Sequence, residues 1–366
     1  MTSATNRRTA EKQSWKQGFE VGPQQEKGFF DFHDESFSAI FPAASTSERF
    51  FMRFRPRVLI VALIAVVTAA TSAACTLQQG FQDNKSGENV VRLVQQPWED
   101  LIVENEIVSQ VLSKLGYRAH VQELSVPLGA QALADGQADA YLGNWWPSQQ
   151  SAYQQYLDSG QVEVAGTMVT GAQYAPVVPD YVAQEYGIRS LADLDAKAHL
   201  FDNEILGIEQ GTPGNQYILD AIRDDSYGLG DWNLVQSSTA AMLSEVQRRA
   251  GERKPVVFLG WSPHWMNVEW DLHYLDDPQD VWPGSGEIRV VFNEDFAGKN
   301  PDIAKFLSQI RIDRDTASDW IFRLSKEKDP APQIASEWIR AHPDEVRKWL
   351  RGVRTADGEP APAAIS

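Results

Sequence analysis

From Val90 onward, apolar positions alternate between two patterns. Short runs at Val90–Val94, His120–Leu124, Ala138–Gly143, Ile205–Ile208, Trp232–Val235 and Val256–Leu259 predict strands. Between them, apolar residues recur at helical spacing. Ile107, Val108, Val111, Leu112 and Leu115 mark a helix over 104–115, which Gly116 stops. Leu128–Asp135, Pro213–Arg223 and Thr239–Ala250 predict three more, and Pro147 opens another at its first turn. This strand–helix alternation implies an α/β architecture with largely parallel sheets. From Pro301 the pattern is helical, through Asp302–Ile310, Thr316–Lys326, Pro332–Ala341 and Pro343–Leu350. Residues 353–366 are expected to be a disordered tail.

Upstream, the pattern is that of a targeting segment. In residues 52–75, Arg53, Arg55 and Arg57 precede an apolar stretch from Val58 to Val67, and small residues then lead to Cys75. The uncharged stretch Val58–Ala74 is close to the lower limit for a spanning helix, so a retained anchor is the alternative to cleavage. Cys75 stands where a bacterial lipoprotein signal places its acylated residue, although Ser72 occupies a position where Leu is usual. Residues 1–51 are polar and Phe-rich and have no sustained period, so they are read as a non-native N-terminal extension, or else as a cytoplasmic tail before a signal anchor. Residues 76–89 read as a tether. The expected location is extracytoplasmic, held by a lipid on Cys75 at the outer face of the membrane.

Charge and composition narrow the function. The chain has 366 residues and a net charge of −17, with 33 Lys+Arg against 50 Asp+Glu. That balance excludes the basic footprint of a nucleic-acid binder. A single cysteine excludes a disulfide framework and any Cys-cluster metal site. No dinucleotide fingerprint, P-loop, HExxH or GxSxG is present, and no nucleophile is paired with a base. No cofactor or metal is implied, and the expectation is a binding protein rather than an enzyme.

The informative feature is where some of the 12 tryptophans fall. Trp98 follows the first predicted strand, Trp145 and Trp146 follow the third, and Trp261 follows a later one. In open α/β sheets, ligands bind beyond the carboxyl ends of strands. Several rings converging there form an aromatic cage, whose natural guest is a quaternary ammonium: diffuse charge, apolar methyls and no N–H to donate. Each ring contributes on the order of 2 kcal/mol when desolvated.

GNWWP at 143–147, GAQY at 171–174, GIEQGTPGN at 207–215 and VVFLGWSPHWM at 256–266 resemble the substrate-binding proteins of bacterial ABC importers for choline and glycine betaine. The resemblance covers about 90–350. It implies a two-lobed type II periplasmic-binding-protein fold, with lobe 1 built from 90–168 and 270–352, lobe 2 from 169–269, and two crossover strands as the hinge. It also implies that Trp98, Trp145, Tyr174 and Trp261 form the cage, that Asp100 accepts the choline hydroxyl and that Asn215 is a polar ligand contact. A carboxylate at Asp100 suits a cationic alcohol and repels a betaine carboxylate, so choline is favoured over glycine betaine or proline betaine. His264 is either a partner for a betaine carboxylate or a structural residue. Trp146 either packs into its lobe or displaces Trp145 from the cage. The implied partners are an ABC permease and its cytoplasmic ATPase, with the binding protein a monomer. A sensor for the same ligand and a membrane-anchored α/β enzyme are the other readings.

Overall fold

The computed structural model describes residues 89–365 apart from Ser285. The extension 1–51, the signal 52–75 with Cys75 and all but the last residue of the tether lie outside the described residues. Nine strands form one continuous sheet: β1 (Val90–Gln95), β2 (Arg118–Glu123), β3 (Ala140–Trp146), β4 (Val162–Pro179), β5 (Glu204–Leu206), β6 (Asn233–Val235), β7 (Phe258–Ser262), β8 (Leu272–Tyr274) and β9 (Gly286–Asn293). Their order is β2-β1-β3-β9-β4-β7-β5-β6, with β8 on β4.

The sheet has two halves, each built on parallel strands. In the first, β1 pairs in parallel with β2 and β3, and helices Glu99–Lys114 and Val126–Ala134 make the crossovers. In the second, β5 pairs in parallel with β6 and β7, with helices Pro213–Arg223 and Thr239–Gly251 between them. The 18-residue β4 joins the halves. Its residues up to Ala172 pair antiparallel with β9, and Gln173–Val177 pair antiparallel with β7. The chain returns between β8, which still pairs with the second-half end of β4, and β9. Both crossings therefore fall later than the expected 168/169 and 269/270 boundaries.

The periodic segments formed as their patterns require. Helix Glu99–Lys114 begins earlier than its apolar stripe, with Glu99 and Asp100 in its first turn, where carboxylates favour the positive end of the helix dipole. Its buried face carries Leu101, Val103, Ile107, Val108, Val111 and Leu112. Gly116, at φ +82°, supplies the left-handed residue just beyond its end. The C-terminal helices Pro301–Ser308, Arg314–Phe322, Ala331–Ala341 and Pro343–Trp349 add a second aromatic layer. There Trp338 packs against Trp320 and Trp349, at centroid distances of 5.2 and 5.3 Å.

Residues 353–366 are not the expected disordered tail. Arg354 bridges to Pro360, Ala361–Ala364 form a short 3₁₀ turn, and Ala361 and Ile365 are buried. The Ala356 N–H donates to the Leu115 carbonyl, and Arg347 Nη2 donates to the Ile365 carbonyl at 2.9 Å. The Pro- and Ala-rich composition suggested disorder, but its small apolar side chains cover the helix layer.

Candidate functional site

A cavity lies between the two half-sheets. It is lined from the first half by Trp98, Asp100, Trp145, Ser148 and Gln149, and from the second by Ile208, Thr212, Pro213, Gly214 and Trp261, with Tyr174 on the joining strand. The lining is delivered by the carboxyl ends of β1, β3, β5 and β7, as the crevice rule for such sheets requires.

The aromatic walls are set by strand register. Tyr174 on β4 lies directly opposite Trp261 on β7, so their side chains share one face of the sheet. Their rings meet edge to face at 6.0 Å and 87°. Tyr174 also meets Trp145 at 6.3 Å and Trp282 at 5.0 Å, and the Trp282 indole N–H donates to its carbonyl. The Tyr174 hydroxyl is buried without a partner, and a Cβ at Gly214 would overlap it. Only glycine lets the start of helix Pro213–Arg223 approach this ring.

Trp145 and Trp146 point to opposite faces of β3, as consecutive strand residues must. Trp145 lines the cavity. Trp146 lies under the Arg289 guanidinium, 3.8 Å from its ring centroid, while Arg289 also donates to Asn144 Oδ1 at 3.0 and 3.1 Å. Trp146 therefore packs within the first half-sheet and leaves the cavity to Trp145.

Asp100 brings a carboxyl to the cavity from the first turn of its helix, and it is 4% exposed. Burial pushes its pKa up to about 6, and the Glu99 charge adds to the shift, while backbone N–H groups at the helix start oppose it. One turn along, Glu104 is buried with neither carboxyl oxygen partnered, and burial raises it well above the usual range. Asp100 is the carboxyl that faces the cavity.

Asn215 and His264 are not among the lining residues. Asn215 Oδ1 accepts from Ile208 N at 3.0 Å, and its Nδ2 donates to the carbonyls of Ile208 and Glu209 at 2.9 and 3.1 Å and to Gln236 Oε1 at 3.2 Å. The side chain staples the loop that leads into helix Pro213–Arg223, and its hydrogen-bonding atoms are occupied. His264 packs between Trp261 and Trp265, at 5.2 and 4.9 Å, and its Nδ1 accepts from Met266 N at 3.1 Å. Burial lowers its pKa to about 3, so it is neutral and backs the Trp261 ring.

Four contributors were not read from the sequence. Gln149 binds Tyr141, Asn144 and the Gly143 carbonyl, which anchors the turn after β3. Ser148 donates to the Trp145 carbonyl at 3.2 Å. Thr212, the cap residue of helix Pro213–Arg223, has a buried hydroxyl without a partner at the cavity. Glu209 accepts from Trp98 Nε1 at 3.3 Å. Thr-Pro-Gly at 212–214 was visible as a helix start, but nothing in the spacing aimed it at Trp98 and Trp145, far upstream in the chain.

The family described as the substrate-binding domain of ABC-type glycine betaine transport systems matches residues 89–341. The chain belongs to this family. It is 32% identical over 173 residues to a glycine betaine/carnitine transport binding protein of Listeria monocytogenes, a match spanning 46% of this chain and 57% of that one. It is 26% identical over 329 residues to the glycine betaine-binding periplasmic protein OusX of Dickeya dadantii, covering 80% of this chain and 98% of that one. Among solved structures, an ABC-transporter choline-binding protein in complex with choline superposes with a TM-score of 0.72 at 29% identity, covering 75% and 96% of the two chains. Lactococcal OpuAC, closed on glycine betaine, superposes at 0.65 with 28% identity, covering 72% and 99%. The two half-sheets are thus the lobes of a type II periplasmic-binding fold, and the chain is a substrate-binding protein of the ABC-importer type. These relatives are transport binding proteins and not enzymes, and some are named as periplasmic. No helix among the described residues is long and apolar enough to cross a membrane.

Proposed function

We propose that this protein captures choline outside the cytoplasm and delivers it to an ABC permease driven by a cytoplasmic ATPase. Trp98, Trp145, Tyr174 and Trp261 hold the trimethylammonium group, and Asp100 accepts the hydroxyl. The observation that carries this is a buried carboxylate in a cavity onto which four aromatic rings converge. Rings alone would serve choline and glycine betaine equally, since both present the same trimethylammonium head. The carboxylate separates them: it accepts from a hydroxyl and repels a carboxylate. The choline-bound relative is consistent with this choice.

The protein acts as a monomer tethered through an acylated Cys75, and it performs no chemistry on its ligand. Closure follows when the ligand binds the closed form better than the open one. Calorimetric titration with choline, glycine betaine and proline betaine in parallel tests the assignment. Preferential choline binding is expected. A tighter betaine would transfer the polar end of the ligand to the orphaned Thr212 hydroxyl and the helix start beside it. Labelling with a radioactive fatty acid, compared with a Cys75→Ala chain, tests the anchor.

A further inference from the structure

Glu209 joins the two lobes at the rim of the cavity. It lies in the loop after β5, where Asn215 holds its backbone carbonyl. Its carboxylate is fixed by the first residue of helix Thr239–Gly251: Thr239 N donates to Oε1 at 2.7 Å and Thr239 Oγ1 donates to Oε2 at 2.9 Å. A carboxylate at a helix N-terminus is favoured by the unpaired N–H groups and the dipole there. The same Oε2 accepts the indole N–H of Trp98, a cage residue of the other lobe, 111 positions away in the chain. Trp98 stands immediately before helix Glu99–Lys114 and, among the described residues, has no ring partner of the kind that fixes Trp145 and Trp261.

We propose that Glu209 is a positioning residue for ligand retention: it latches the closed cleft by accepting the Trp98 indole N–H, and in doing so it aims that ring at the bound cation. The bond joins residues of separate lobes, so it breaks when the lobes part. A repulsion accompanies it. The Glu209 charge contributes to raising the half-buried Glu99, behind the larger effect of burial, so closing the cleft brings carboxylates together. A cation between the walls offsets that repulsion, and the latch then holds. Closure is tied in this way to the sign of the ligand's charge as well as to its methyl groups.

The inference rests on the quaternary-ammonium reading above, and one set of titrations separates the two. If the unaltered protein binds no quaternary amine, that reading fails. If it binds choline but Glu209 proves indifferent, only the latch fails. Stopped-flow measurement on Glu209→Ala is expected to show choline leaving about tenfold faster, with association within roughly threefold of the unaltered rate. Glu209→Gln, whose amide oxygen still accepts, should restore dissociation to within about threefold. Trp98→Phe keeps a ring but loses the N–H, and adding it to Glu209→Ala should cost much less than it does alone, because the two share one interaction. Thr239→Val, which removes one of the two contacts that hold the Glu209 carboxylate, should hasten release by less than Glu209→Ala does. The latch is overturned if Glu209→Ala releases choline within about twofold of the unaltered rate, or if the Trp98 and Glu209 effects add. Should Glu209→Ala not fold, the Trp98→Phe change in dissociation, measured with and without Glu209→Gln, carries the same test.

Discussion

The two walls of the cavity are built from similar parts and differ in what they bring. The first-lobe wall carries Asp100, the ionised group of the lining, on a helix start, with Trp98 and Trp145 beside it. The second-lobe wall carries Trp261, backed by neutral His264 and Trp265, together with an uncharged helix start at Thr212–Gly214. Both supply π faces, and one supplies charge. On the proposed reading, recognition of the methylated head is shared across the cleft, whereas recognition of the ligand's other end belongs to one side. On that reading a ligand touching the first wall alone would meet the charge but half the cage, and closure would complete it.

The strongest way to break this division is to remove one ring from each wall. Trp145→Ala and Trp261→Ala should each weaken choline by about 2 kcal/mol, roughly thirtyfold. Calorimetry in which either change stays below about twofold would remove that ring from the cage. Gly214→Ala acts on the second wall without touching a ring. Its methyl group displaces the Tyr174 hydroxyl, and a loss of about tenfold for choline and betaine alike is expected. A loss confined to one ligand would assign Gly214 to the polar end instead.

Asp100→Asn sharpens the comparison, because it removes the charge and keeps the shape. Choline should weaken by about tenfold, as a charge-assisted hydrogen bond becomes a neutral one, while glycine betaine holds or improves. Equal losses for both ligands would show that the charge attracts the cation head and does not discriminate. The smallest effect is that of pH. The Asp100 pKa is raised to about 6 in the free protein, and a bound cation favours its charged form. Choline affinity should therefore be flat above about pH 6 and fall below it, levelling off at no more than the roughly tenfold loss expected of Asp100→Asn, with a proton released on binding near pH 6. The stability of the ligand-free protein runs the other way. The folded state keeps the Asp100 proton up to about pH 6, so stability declines as pH rises from the usual carboxylate range through that value. Titrations in two buffers of different ionisation enthalpy count the proton.

Trp98, Trp145 and Trp261 were legible because they fall at strand ends, whereas Tyr174, inside β4, and Asp100 were expected only from the family resemblance. Trp98, Asp100, Trp145, Tyr174 and Trp261 all come to one cavity. What was not legible required knowing which groups were already occupied. Asn215 and His264 have suitable chemistry for a polar ligand end, yet one is consumed by a loop and the other by a ring stack. The strand β4 escaped the pattern because it serves two sheets in succession: its burial has no single period, and its bulges against β9 shift the register repeatedly.

The sequence by itself determined the α/β class, the parallel βαβ units and the aromatic residues at strand ends. Each of those is a local matter of period, capping and chain order. Only the tertiary structure decided that Trp145 faces the cavity while Trp146 stacks on Arg289, that the C-terminal residues pack, and that Glu209 meets Trp98. Those outcomes depend on which distant group claims a side chain first. Burial leaves a polar atom either paired or costly, so such competition is settled by the whole fold and not by the neighbours in sequence.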